Sequence, residues 1–224
     1  MKKRHIPKAP KRSKTYHPLE YTVLEVETET IKDFVIDNHY SGICPMNCNI
    51  NFALFKDNSS YSQDDIIGVA QFGPCVGREQ QQFYSVDTEL RRLCLLNAAP
   101  RNSESRFISL CIKWIKKHTD IEHILSLADP MQGHAGTIYK AANFKYRGTQ
   151  STGCPPMFFI DGKHIHNRTC NERFGTSSRY ALKERFRERL EIVTSIPKHV
   201  YIYTIKRKHK KKPENTGCRN ANNT

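Results

Sequence analysis

The chain has 224 residues, 38% hydrophobic and 10% aromatic, enough for one folded domain with a proper core. No apolar run approaches the ~20 residues a membrane-spanning helix needs, and no apolar stretch follows the basic start Met1-Lys2-Lys3-Arg4, so a membrane or secreted protein is not expected. The net charge of +14 is concentrated at the two ends of the chain.

Residues 1–16 form a basic arm in which Lys2, Lys3, Arg4, Lys8, Lys11, Arg12 and Lys14 are accompanied by no acid. Alternation over residues 21–28 predicts a strand, and the spacing of Ile31, Phe34 and Val35 predicts a helix over about 30–38, capped by Thr30. Apolar runs at 50–56 and 65–73, joined by a polar stretch, predict an antiparallel hairpin. A strand at 89–96 leads through the turn 97–102 into a helix over 103–118, whose apolar face is Phe107, Leu110, Cys111, Trp114 and Ile115. A buried-type strand at 123–128 ends at Asp129-Pro130, followed by a short helix at 136–143 and strands at 145–148 and 157–160. A basic amphipathic helix over about 179–193, a strand at 200–205 and a basic tail over 206–224 complete the pattern. The order is that of a mixed α/β domain covering residues 17–205.

Basic arms on a nearly neutral body suit a polyanion, because each neutralised phosphate releases counterions. An anionic membrane surface would attract the same arms, but two separate ones favour nucleic acid. The eight cysteines are expected to be reduced thiols, with Cys94 and Cys111 as small core residues. Cys44 and Cys48, with Cys154, His164, His166 or Cys170, are candidates for a structural zinc site.

Three segments carry candidate chemistry. Leu90-Arg-Arg-Leu93 and the helix start Pro100-Arg-Asn-Ser-Glu-Ser-Arg106 suit an anion pocket, with Arg91, Arg101, Asn102, Ser103, Ser105 and Arg106 near free backbone N–H groups; an ordinary helix cap explains the same residues. His39-Tyr40-Ser41-Gly42 reads as a helix exit opening into a cleft, suited to general base chemistry or metal ligation. Asp129 stands at the carboxyl end of a buried strand, where open α/β sheets place functional groups, and the glycine-rich crossing after it leads to Tyr139. Taken alone, Asp129 reads rather as a helix cap and Tyr139 as core.

Together these segments resemble the Mom family of bacteriophage DNA-modification proteins, relatives of the GNAT acyltransferases, over roughly residues 20–180. The resemblance implies a GNAT-like, mostly antiparallel central sheet flanked by helices. It implies an enzyme that converts adenine in duplex DNA to N6-carbamoylmethyladenine and so shields phage DNA from host restriction, acting in the host cytoplasm. The implied catalytic residues are His39, Tyr40, Ser41, Asp129 and Tyr139, with iron held by His39, Tyr40, Asp129 and Tyr139. Acetyl-CoA or another acyl- or glycine-type donor is implied, although no glycine-rich pyrophosphate loop is present. Double-stranded DNA is the expected partner, met by Lys2, Lys3, Arg4, Lys11, Arg12, Arg179, Lys183, Arg187, Lys208, Lys210 and Lys211; a homodimer is a further expectation. Two rival readings are an acetyltransferase acting on another amine and a non-catalytic DNA-binding protein on the same scaffold.

Overall fold

The computed structural model describes residues 21–56, 60–76, 78–150, 156–165 and 167–207. Lys2, Lys3, Arg4, Lys11, Arg12, Cys154, His166, Lys208, Lys210 and Lys211 lie outside the described residues. Seven strands form one sheet in the order β1 (Tyr21–Glu25), β2 (Ile50–Lys56), β3 (Ile66–Gly73), β4 (Thr88–Leu95), β5 (His123–Ala128), β10 (His199–Thr204) and β6 (Lys145–Thr149). Every neighbouring pair is antiparallel except β4 with β5, so the sheet is mixed and mostly antiparallel, as expected.

Both faces of the sheet are covered, which is why β2 and β3 read as nearly unbroken apolar runs. On one face Phe52, Leu54 and Phe72 pack with Phe107, Ile108, Cys111 and Ile115 of α3 (Ser103–His118) and with Tyr139 of α4 (Thr137–Ala141). On the other, Ala53, Phe55 and Val69 meet Ile31 and Val35 of α1 (Thr28–Asn38), and Leu125, Val200 and Ile202 meet Tyr84 at the end of α2 (Arg78–Tyr84). Each large side chain so buried contributes about 1.5–3 kcal/mol. Helix α3 ends at Thr119, where the Arg207 guanidinium donates to the carbonyls of Lys116, Thr119 and Ile121. A cation there satisfies the last carbonyls and complements the helix dipole. Arg207, in sequence part of the basic tail, thus belongs to the folded body.

Several expectations are corrected. Thr30 does not cap α1, which starts at Thr28 after an extended Glu27. The helix expected over 179–193 is α6 (Arg179–Phe186), which breaks at Arg187 (φ +47°), and Leu190–Val193 is a strand, β9. The same apolar residues serve either period, and a partner strand decides: β9 pairs with β7 (Met157–Ile160), which also pairs with β8 (Lys163–Ile165). With α5 (Asn167–Phe174) and α6 they form a small module whose own core is Phe158, Cys170 and Leu182. The module is inserted between β6 and β10 of the main sheet.

Candidate active site

The cleft arises from strand geometry. Parallel pairing of β4 with β5 covers only Thr88–Leu90 and Ile124–Ser126. Beyond it β4 follows β3 and β5 follows β10, so the sheet opens. The opening is a cleft of about 350 Å³, lined by His39, Tyr40, Arg91, Leu127, His134 and Tyr139 among others. The β3–β4 register shifts where Phe72 faces Leu90 and Gln71 faces Arg92, leaving Arg91 as the extra residue of a bulge. Arg91 therefore turns to the cleft, donating to Pro74 O (3.1 Å) and Asn47 Oδ1 (3.3 Å), while its buried Nε has no partner among the described residues.

His39 is the C-cap of α1, and the chain turns away at Gly42 (φ +58°). Ser41 N–H donates to His39 Nδ1 (3.2 Å), and Ser41 Oγ lies 2.8 Å from the same nitrogen. An acceptor role for Nδ1 puts the neutral ring's proton on Nε2. Burial, then Arg92, His134 and Lys198, push the His39 pKa down to about 4, so at neutral pH it is an uncharged imidazole with an N–H to donate. The Tyr40 ring lies 4.3 Å from that of His39 and stands edge-on to His134 at 5.9 Å. Burial, followed by the charge of Asp129, raises the Tyr40 pKa, which keeps it a phenol.

Asp129 is fixed by the loop it begins. Its Oδ1 accepts from Met131 N (2.9 Å), capping the 3-10 turn Pro130–Gln132, and Oδ2 lies 3.6 Å from Lys198 Nζ. The loop then needs two left-handed glycines, Gly133 (φ +73°) and Gly136 (φ +71°). At Gly136 a Cβ would sit 2.2 Å from the Tyr201 ring, whose hydroxyl donates to Ala135 O (2.8 Å). The glycine is what lets this loop lie flat on β10 and aim His134 at Tyr40. Tyr139 is buried against Phe144 and Tyr201; burial raises its pKa, opposed by the nearby Ser126 hydroxyl.

The structure thus brings His39, Tyr40, Tyr139 and Arg91 to one cleft, with Ser41 behind them on His39 Nδ1 and Asp129 near enough to act on Tyr40. It does not gather the other expected donor-binding residues into the lining. Arg101 and Asn102 are exposed, Ser103 is fully buried with a hydroxyl that has no partner among the described residues, and Ser105 Oγ donates to Asn102 O. The α3 residue that reaches the lining is Glu104. Arg106 is half-buried, with an Nε lacking a partner among the described residues.

Of the four residues implied as iron ligands, His39, Tyr40 and Tyr139 line the cleft, while Asp129 is held by Met131 N–H and Lys198, and Tyr139 is buried. Among the described residues, no three His, Cys, Asp or Glu lie together where they could hold a metal ion. Among the candidate zinc cysteines, Cys170 is in the inserted module's core, apart from Cys44, whose thiol donates to Gln71 Oε1 (3.6 Å). Cys48 is buried, with its thiol pushed up to about 11, chiefly by burial.

Three residues escaped the sequence reading. Arg92 lies close enough to His39 and Tyr40 to influence both, with Nε donating to Ile43 O (3.0 Å). Its signal was a second arginine within an otherwise apolar strand. His134 was legible only as a histidine between glycines. Lys198, from a distant loop, carried no local signal.

A divided sheet with polar side chains gathered at its opening marks this cleft as the candidate site. The profile of the Mom protein family matches residues 20–219, and the chain belongs to that family. It is 29% identical over 163 residues to the methylcarbamoylase Mom of Escherichia phage Mu, an alignment covering 67% of this chain and 64% of that protein. The chain therefore spans less than two thirds of that relative's length. Among solved structures, Arabidopsis thaliana NAA60 in complex with acetyl-CoA is similar with a TM-score of 0.48 and 10% identity, over 83% of this chain and 98% of that one. The N-acetyltransferase from Staphylococcus aureus Mu50 is similar with a TM-score of 0.45 and 12% identity, over 82% and 97%.

Proposed function

We propose that the protein is a DNA-modifying transferase that replaces one hydrogen on adenine N6 with a carbamoylmethyl group, shielding phage DNA from restriction enzymes. The observation that carries this reading is membership of the Mom family by a chain whose sheet opens beside His39, Tyr40 and Asp129.

Adenine N6 is paired within a duplex, so the base is flipped out to be reached. The Tyr40 ring is 55% exposed, which leaves room for a base to stack on it. His39 Nε2–H donates to an adenine ring nitrogen, and the Asp129 carboxylate receives the N6 proton. An N–C bond forms to the transferred CH2 as the bond joining that carbon to its carrier breaks, its electron pair leaving with the carrier. The donor must already carry the CH2–C(O)NH2 group on a leaving group, a requirement that acetyl-CoA, with no leaving group on its methyl carbon and no amide nitrogen, does not meet. Arg91 meets its anionic part, and the basic arms hold the duplex.

The test is to express the chain in bacteria, digest the DNA to nucleosides and weigh them by mass spectrometry. Deoxyadenosine carrying a carbamoylmethyl group in place of one N6 hydrogen is expected. Ordinary nucleosides alone, from cells containing the folded protein, would overturn the reading.

A further inference from the structure

We infer that the inserted module, residues 157–193, is a docking surface for the phosphate backbone of duplex DNA, using Arg179, Lys183 and Arg187 beside Tyr180. This inference rests on the reading of DNA as substrate and adds where the duplex is held.

The structure divides the five basic residues of the 179–189 segment into two kinds. Arg185 lies over the rings of Phe174 and Phe186 (5.1 and 5.6 Å) and donates to Phe174 O. Arg189 makes a two-pronged ion pair with Asp161. Both hold the module together. Arg179, Lys183 and Arg187 are exposed, and among the described residues none makes an ion pair. Arg179 and Lys183 are one turn apart on α6, hence on one face. Tyr180, on the same first turn, is 90% exposed.

A phenol that exposed among unpaired cations gains nothing from the fold. Beside a phosphate backbone its hydroxyl donates a hydrogen bond while the cations release counterions. Position supports the same occupant. Gln150 and Lys198, which flank the module in sequence, are joined by Gln150 N–H donating to Lys198 O (2.9 Å), and Lys198 Nζ faces Asp129. A duplex held by the module is therefore tethered through the segment that carries Lys198 to Asp129.

The test uses the full chain and a duplex of about 30 base pairs, with affinity measured across a series of salt concentrations. If each of the three cations meets one phosphate, R179Q/K183Q/R187Q lowers the steepness of log affinity against log salt by about 2–3. Arg185→Ala leaves that steepness unchanged and lowers the unfolding temperature instead. An unchanged steepness in the folded triple variant would overturn the inference. So would weaker binding to phosphatidylserine vesicles with duplex binding intact, which would assign the surface to a membrane. Nucleoside analysis of the wild-type protein is read separately: altered steepness with only ordinary nucleosides would leave the surface standing and remove the reaction.

Discussion

The cleft and the inserted module both collect polar side chains, but they treat them in opposite ways. In the cleft each group is restrained: Ser41 holds His39 Nδ1, Met131 N–H and Lys198 hold Asp129, and the core encloses Tyr139. On the module Arg179, Lys183 and Arg187 extend into solvent, while Arg185 and Arg189 are used up in packing. Restraint at the cleft means little reorganisation when charge moves, the requirement for catalysis. Solvated cations act at longer range and lose strength with salt, the requirement for tethering a polyanion. The difference separates chemistry from holding, and it can be attacked from the cleft side.

The largest effect is expected from Asp129→Asn, which keeps an acceptor for Met131 N–H but cannot take the N6 proton. Modified adenine should fall about 10²–10⁴-fold, the usual worth of a positioned base, with duplex affinity unchanged. Undiminished modification, read by nucleoside mass spectrometry, would remove Asp129 from the chemistry.

Next in size is Gly136→Ala. Its left-handed backbone and the Tyr201 ring 2.2 Å from the new Cβ should together cost about 2–4 kcal/mol in urea unfolding, and displace His134. Gly133→Ala, with open space around its Cβ, should lose only about 1 kcal/mol. Equal losses would show that the loop is not clamped on β10.

The smallest concerns pH. The His39 pKa is lowered from 6.5 to about 4, so the unfolded chain takes up its proton first as pH falls. The neutral ring's contribution is whole above pH 6.5 and is lost progressively down to about pH 4. His39→Gln should flatten thermal stability over that interval, and an unaltered pH dependence would show that the ring is not held neutral by the fold.

Much of the architecture was legible because periodicity reports burial directly. The apolar spacing of α3 and the continuous runs of β2 and β3 allowed one reading. Leu182, Phe186, Leu190 and Val193 fitted a helix as well as a helix plus strand, and only pairing with β7 chose between them. α2, β8 and α5 were missed because short elements carry too few periods.

At the site, the sequence by itself determined the residue types and their local turns: His39 at a helix exit, Asp129 at a strand end, glycines before Tyr139. Such features depend on neighbours a few positions away. Tertiary structure decided what those residues are. The divergence of β4 from β5 made a cleft, the bulge turned Arg91 toward it, and Arg92 and Lys198, together with burial, kept His39 uncharged. It likewise withdrew Tyr139 into the core and separated the solvated cations Arg179, Lys183 and Arg187 from Arg185 and Arg189, which are bound in packing. Charge state and access depend on what surrounds a group in space, and strands distant in sequence supply those surroundings.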